Sequence, residues 1–255
     1  MRVATYNLLH GISVRTGQID FSATADAVAD LDADIVAVQE VDRGLPRTGH
    51  VDQVAELAQR TGLHGVFGPA LLGNPDTSWR GVDKVDPGGP AYGVGLLSAT
   101  PLTAVERVPL PGGGAGERQP NASPQNPGWD HEPRVVLCGV LDVGGIAVRI
   151  ATAHLSYLPW RGIAQLRAAA DVAGAGGGPS VLIGDFNLPV WPVRMALPGW
   201  THGGGSPTYP SWDPRLQVDQ VVVRGGVRIR EVRIGPAATS DHLPLLASLE
   251  FSPGA

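Results

Sequence analysis

Eight polar side chains stand where apolar runs of this sequence end: Asn7, Glu40, His154, Asp185, Asn187, Asp219, Asp241 and His242. Carboxylates, imidazoles and carboxamides in that mixture suit metal-assisted hydrolysis of a phosphoester. Mg²⁺ prefers oxygen ligands, keeps several waters and asks for only one or two carboxylates from a protein. Bound there, it bridges phosphate oxygens and steadies the leaving oxygen. A carboxylate or a His–carboxylate pair aligns the water, while amide and imidazolium donors hold the phosphate. Zinc is not indicated, because the chain has neither a His-x-x-x-His helix nor a cysteine pair. The glycine-rich stretches lack the Lys-Ser/Thr that completes a phosphate-binding P-loop.

The tightest spacing is Gly184-Asp185-Phe186-Asn187, directly after the short apolar run Val181-Leu182-Ile183. In extended chain, Asp185 and Asn187 share one side and Phe186 points back into the protein. Taken alone, the tetrapeptide also reads as a β-turn, since Asp and Asn favour turns. The polar strand ends elsewhere favour a site.

The elements that must carry these groups follow from the pattern. Val3–Tyr6 reads as a strand ending at Asn7, and Ser22 is placed to cap a helix that turns Ala25, Val28, Ala29 and Leu31 inward. Asp34–Glu40 is a second strand, apolar until Gln39 and Glu40. Strand, helix, strand predicts parallel pairing, and such strand ends are where α/β sheets gather ligands. A helix over 51–61 carries Val54, Leu57 and Ala58 on one face, and Gly65–Phe67 is a short strand. Asn74–Pro90, rich in Gly, Pro and Asp, reads as a surface loop.

Tyr92–Ser98 returns to strand character, and Leu102–Leu110 is expected to pair with it across the turn Ala99-Thr100-Pro101. The lone Gly93-Val94-Gly95 is no dinucleotide fingerprint, lacking the third glycine and the helix. Pro111–Pro133 is too long for a connector and is either a mobile flap that shapes the pocket or a disordered stretch. Arg134–Val143 and Ala147–Ala153 form a hairpin through Gly144-Gly145 and deliver His154. A helix over 161–173 leads to the strand before Asp185, and a Pro-rich stretch spans 189–214. Val218–Val223 carries Asp219 near its start, Val227–Ile234 follows, and Ser240-Asp241-His242 opens the last strand, Leu245–Phe251. No repeat or linker divides the chain, so one domain over 1–255 is expected.

Seven of these segments, in this order, carry a resemblance. Thr5-Tyr6-Asn7, Gln39-Glu40-Val41-Asp42, Tyr92-Gly93-Val94-Gly95-Leu96-Leu97-Ser98, Thr152-Ala153-His154-Leu155, Gly184-Asp185-Phe186-Asn187, Val218-Asp219-Gln220-Val221 and Ser240-Asp241-His242-Leu243-Pro244 are similar to motifs of the endonuclease/exonuclease/phosphatase superfamily. Deoxyribonuclease I, the apurinic endonucleases, sphingomyelinases and inositol polyphosphate 5-phosphatases belong to that superfamily. The resemblance implies an α/β fold, a deoxyribonuclease I-like two-sheet α/β sandwich with helices on the outer faces. It also implies a Mg²⁺ or Mn²⁺ site at one end. By position, Glu40 is then the principal metal ligand, with Asn7 close to the metal or the phosphate and Asp241 near the metal. Asp185 and Asn187 orient the water and the phosphate, and Asp219 supports His242. His154 resembles the phosphate-contacting, general-acid histidine of deoxyribonuclease-like members, and Tyr92 matches a phosphate-side tyrosine. Two departures favour one metal over two: Leu9 stands where the apurinic endonucleases carry an acid, and no acid beside Tyr92 is evident to pair with His154.

Bulk properties narrow the substrate. The 255-residue chain has 43% hydrophobic and 17% charged residues and a net charge of −5, which gives no global attraction to nucleic acid or anionic membranes. Its 19 Lys and Arg form no basic run, whereas a nuclease groove would be basic and lined with stacking aromatics. Trp79, Trp129, Trp160, Trp191 and Trp212 are candidates for a binding mouth. A small or lipid-derived phosphoester is therefore expected, with a DNA- or RNA-directed nuclease as the alternative and a non-catalytic binding module as a second. Cys138, the only cysteine, sits in an apolar run and reads as buried. The sequence shows no leader and no membrane span, so a cytoplasmic monomer is expected.

Overall fold

The computed structural model describes residues 1–83, 85–112, 117–118 and 130–252. Most of Pro111–Pro133, together with Trp129, lies outside the described residues, so the expected flap does too. In chain order come β1 (Arg2–Asn7), α1 (Phe21–Ala29), β2 (Ile35–Arg43), α2 (Gln53–Thr61), β3 (His64–Gly73), β4 (Trp79–Gly81), β5 (Ala91–Ser98) and β6 (Thr103–Pro109). They are followed by β7 (Glu117–Arg118), β8 (Val135–Val143), β9 (Ile146–His154), α3 (Pro159–Ala173) and β10 (Ser180–Asp185). The chain ends with α4 (Val190–Ala196), β11 (Thr201–Gly203), β12 (Asp219–Arg224), β13 (Val227–Ile234) and β14 (Leu245–Phe251).

Among the described residues the strands form two sheets, ordered β13-β14-β1-β2-β5-β3-β4-β7 and β11-β12-β10-β9-β8-β6. Each has one parallel pair at its centre, β1 with β2 and β9 with β10, joined by α1 and α3 respectively. The two β-α-β units point their carboxyl ends the same way, and that end carries the polar residues. No helix among the described residues is long and apolar enough to cross a membrane.

Alternation along the central strands explains their continuous apolar runs. Val3, Ile35 and Ala37 pack between the sheets against Ile150, Val181, Ile183 and Val221. Their neighbours Ala4, Val36 and Val38 face outward under α1 and α2. In the second sheet Leu182 and Val222 do the same under the layer of α3 and α4. A strand buried on both faces needs apolar residues at every position. The fold is thus a sandwich of two sheets with helices on the outer faces.

Several sequence expectations are corrected. Asp20, and not Ser22, caps α1, accepting the Ala23 N–H at 3.1 Å, because the helix already begins at Phe21. β6 does not pair with β5. The turn after Ser98 crosses to the other sheet, where β6 runs antiparallel to β8. The stretch 74–90 contains β4, paired with β3, and the Pro-rich 189–214 contains α4 and β11. Trp79, expected at a binding mouth, is a core residue packed with Leu45, Leu71 and Tyr92.

Candidate active site

The inner layer changes character at its carboxyl end. Thr5 Oγ1 donates to Gln39 Oε1 at 3.2 Å, and Gln39 Nε2 donates to Thr152 Oγ1 at 3.1 Å. This buried relay ties one sheet to the other. One inward position further on, the strands present Asn7, His154 and Asp185. β9, β10 and β12 align them in register: Asp185 lies beside His154 on one side and Asp219 on the other. Period-two alternation therefore delivers Asn7, His154, Asp185 and Asp219 to one level of one face.

Glu40 is out of phase with that pattern. Counting from Ile35, Ala37 and Gln39, it would face the helices. A β-bulge corrects it: β2 shifts register against β5 between Gln39 and Val41, and Glu40 takes a left-handed φ of 54°. Bulges of this kind re-aim a side chain. Leu9, His10 and Asn187 also have positive φ and also line the cleft, a clustering of backbone strain that marks functional positions. Gly184 is required on different grounds, since a Cβ there would lie 2.1 Å from the Ala153 carbonyl oxygen.

Asn7 sits between two carboxylates. Its Nδ2 donates to Glu40 Oε1 at 2.9 Å and to Asp185 Oδ2 at 3.0 Å. Asp185 Oδ1 accepts the Asn187 N–H at 2.9 Å, and Oδ2 lies 3.5 Å from His154 Nε2 and 3.7 Å from His242 Nε2. His242 turns its other nitrogen, Nδ1, to Asp219 Oδ2 at 2.9 Å. Ser240 fixes that loop to β1, donating to the Asn7 carbonyl at 2.6 Å and accepting from the His242 N–H at 3.1 Å. Asn187 Nδ2 donates to the Leu155 carbonyl at 3.0 Å and approaches His154 Nε2 at 3.2 Å. Phe186 is fully buried beneath, as the spacing predicts.

The electrostatics separate the two histidines. Burial pushes His154 well below the usual imidazole range, and Arg134 and His242 push it further, so it is neutral. Burial also acts on His242, but Asp219 and Asp185 outweigh it and raise its pKa, so it is an imidazolium. Burial raises the Asp185 carboxyl, with His242 opposing and Asp219 reinforcing. Glu40 is raised by burial and by Asp241, and partly relieved by the Asn7 hydrogen bond.

Asp185, Asp219 and His242 are the group close enough to share an ion. The hydrogen bond to Asp219 occupies Nδ1 of that imidazole, so His242 faces Asp185 through Nε2. Glu40 and Asp241 add two neighbouring carboxylates of like charge beside the neutral Asn7 carboxamide, and carboxylate oxygens are the donors a hard divalent cation takes.

The open cleft above measures about 590 Å³ and brings Glu40, Tyr92, His154, Asp185, Asn187, Asp241 and His242 together. Asn7 and Asp219 lie beneath, in contact with Asp185 and His242. Sequence reasoning missed His10, Arg47, Glu132, Arg134, Tyr157 and Tyr209 in the same walls. Tyr209 packs on His242 with ring centroids 4.9 Å apart. The signal available for Glu132 and Arg134 was their place at the start of a strand that feeds His154.

The sequence model of the Endonuclease/Exonuclease/phosphatase family matches residues 4–242. No curated protein matches the sequence. Among solved structures, an endonuclease/exonuclease/phosphatase from Beutenbergia cavernae DSM 12333 is 24% identical, with a TM-score of 0.74 over 98% of this chain and 71% of that one. The mannosyl-6-phosphatase of Bacteroides thetaiotaomicron VPI-5482 is 17% identical, with a TM-score of 0.64 over 98% of this chain and 100% of that one. The human Nocturnin catalytic domain, solved with a bound sulfate anion, is 17% identical, with a TM-score of 0.64 over 99% of this chain and 93% of that one.

Proposed function

The chain belongs to the endonuclease/exonuclease/phosphatase family, and we propose that it is a Mg²⁺- or Mn²⁺-dependent hydrolase of a small phosphoester. The observation that carries this reading is the Asn7 carboxamide held between the Glu40 and Asp185 carboxylates, with a neutral and a charged histidine on the far side of Asp185. Glu40, Asp241 and Asn7 would hold the cation. When bound, it supplies charge that offsets the phosphate and the developing leaving oxygen.

The chain's own residues divide the remaining work. Asp219 holds His242 in its charged form, which makes His242 a donor to a phosphate oxygen. Asp185, raised by burial, is the group to take the proton of the attacking water. Asn187 anchors to the Leu155 carbonyl and steadies His154. His154 and Tyr92 flank the phosphate. The neutral state of His154 favours a hydrogen-bonding role over that of proton source.

A small ester is preferred to a polymer on charge. Asp76 and Glu132 share the cleft walls with Arg47 and Arg134, so the basic groups among the described lining residues are interrupted by acids and offer no continuous strip to a phosphate backbone. The mannosyl-6-phosphatase among the similar structures is consistent with such a substrate. The test is a panel of aryl phosphomonoester, aryl phosphodiester, sugar phosphates, nucleotides and short DNA, each with Mg²⁺, Mn²⁺ or EDTA. Metal-dependent turnover of the small esters above that of DNA is expected. Turnover unaffected by EDTA would eliminate the metal-dependent reading, and none at all would leave a binding module.

A further inference from the structure

Five tryptophans stand among the described residues, and two are packed away: Trp79 in the core beside Leu71, and Trp200 half-buried beneath the Arg224 guanidinium. The other three are open to solvent, Trp160 at 69%, Trp191 at 71% and Trp212 at 67%. All three stand at the end of the sandwich that opens the cleft. α3 begins just after β9 delivers His154, α4 begins just after β10 delivers Asp185, and Trp160 and Trp191 are the second residues of those helices. Gly162 packs against Leu188 so closely that a Cβ on it would lie 3.5 Å from the Leu188 methyls, which brings the two helix starts together. Trp212 stands on the loop before β12, between Tyr209 and Leu216 of the cleft wall, and the adjacent Ser211 N–H donates to the Asp241 carbonyl at 2.7 Å. Tyr157 and Met195, both exposed, extend the same rim. Scattered exposed apolar residues need no explanation, whereas a group gathered around one opening does.

Charge narrows what these side chains meet. Residues 155–170 and 186–212, which carry most of the rim, contain no Asp or Glu, although the chain has 24 of them and a net charge of −5. Each exposed indole instead has an arginine close by in sequence, Arg161, Arg194 and Arg215. Arg194 is exposed on the same face of α4 as Trp191 and Met195, and Arg215 is exposed on the Trp212 loop, paired with Asp213. One arginine per indole, spread over separate elements, is too sparse for nucleic acid, which takes a continuous basic groove. A tryptophan with its apolar body and N–H donor suits the headgroup level of a lipid layer, and arginine suits the phosphates there. The net charge disfavours an anionic surface, which leaves a zwitterionic one.

We propose that this rim docks the protein on a zwitterionic phospholipid surface, with Trp160, Trp191 and Trp212 inserted at headgroup depth and Arg161 and Arg194 against lipid phosphates. The mouth of the cleft then faces the lipid. Docking of this kind is set by the rim alone and does not depend on which ester the cleft hydrolyses, or on whether it hydrolyses one.

Flotation of the full chain with phosphatidylcholine vesicles tests it. The wild type should partition onto the vesicles, with its tryptophan emission shifted to shorter wavelength and quenched by phosphatidylcholine brominated on the acyl chains. Trp160→Ser, Trp191→Ser and Trp212→Ser should each weaken partitioning about fivefold, and the triple variant about a hundredfold, the scale of withdrawing large apolar side chains at separate sites. Their urea midpoints should match the wild type, because all three side chains are exposed. No partitioning of the wild type, or a triple variant that partitions equally well, overturns the docking surface. So does binding confined to vesicles that contain phosphatidylserine and abolished by salt, which would be charge attraction alone. Binding of oligo(dT) through the three tryptophans without vesicle binding would make the rim a nucleic-acid surface. A dimer lost in the triple variant, again without vesicle binding, would make it a contact between two copies. Metal-dependent turnover of soluble esters decides the hydrolase reading separately.

Discussion

Gln39 Nε2 donates to Thr152 Oγ1 at 3.1 Å, joining the two sheets one step below the candidate active site. Both residues are fully buried, and Gln39 immediately precedes the bulge that aims Glu40. Thr152→Val keeps the shape but strips Gln39 of its acceptor. A buried donor left unpaired costs about 1–3 kcal/mol, so the urea midpoint should fall accordingly. Turnover should fall as well, because the bulge loses its anchor. Unchanged stability and turnover would show that the bulge is held by other contacts.

Glu40 supplies a carboxylate that burial and Asp241 both disfavour, a cost that a bound cation removes. The wild-type melting temperature should rise with added Mg²⁺ or Mn²⁺, as for any ligand that binds only the folded state. In Glu40→Gln that rise should vanish and turnover should drop at least about a hundredfold, since metal charge stabilisation is worth several kcal/mol. The metal-free melting temperature should hold or increase. A variant that melts and turns over like the wild type in the presence of metal would remove Glu40 from the metal site.

Much of this site was legible in the sequence because period-two alternation maps chain position onto a face. Asn7, His154, Asp185 and Asp219 each end or begin an apolar run, and each lies on the inward phase of its strand. Phe186 was readable for the same reason. Glu40 was identifiable by its place where the apolar run ends, but β2 continues past it to Arg43, and the bulge that turns it inward was not legible because no glycine or proline marks it. The pairing of β6 was misread because a short turn normally joins neighbouring strands of one sheet, whereas here the turn at 99–101 crosses between sheets. Arg134 and Glu132 were passed over although they lie just before β8, at the end of the sheet that carries His154. Their importance comes from burial, which a sequence does not display.

Glu132 makes the pH dependence of stability testable apart from the reaction. Burial lifts its carboxyl from 4.5 to about 7, with Arg134 opposing and Asp130 adding to the rise. A raised carboxyl favours the folded state only while protonated. Its contribution is therefore complete below pH 4.5 and lost as pH rises to about 7, where the folded chain binds more protons than the unfolded one. Glu132→Gln should flatten the stability profile across that window and be more stable than the wild type at pH 8, by an amount on the order of 2–3 kcal/mol. Urea unfolding at pH 5 and pH 8 measures it. A wild-type profile that is already flat there, or a variant less stable at pH 8, would mean that the Arg134 pair outweighs burial.

Asp185 and the His242–Asp219 pair should behave as one unit. Asp185 Oδ2 lies 3.7 Å from His242 Nε2, and His242 is fixed through Nδ1 to Asp219. If Asp185 takes the water's proton while His242 donates to the phosphate, each is useful only with the other in place. Asp185→Asn and His242→Ala should each lower kcat by roughly two to four decades, the range of general acid–base catalysis. The double variant should fall little below the weaker single one, because groups that act together give non-additive losses. Asp219→Asn should lower kcat through His242 by allowing the imidazole to lose its proton, moving the upper limb of the pH–rate profile to lower pH. Losses that multiply in the double variant, with all proteins folded by circular dichroism, would separate Asp185 and His242 into independent roles.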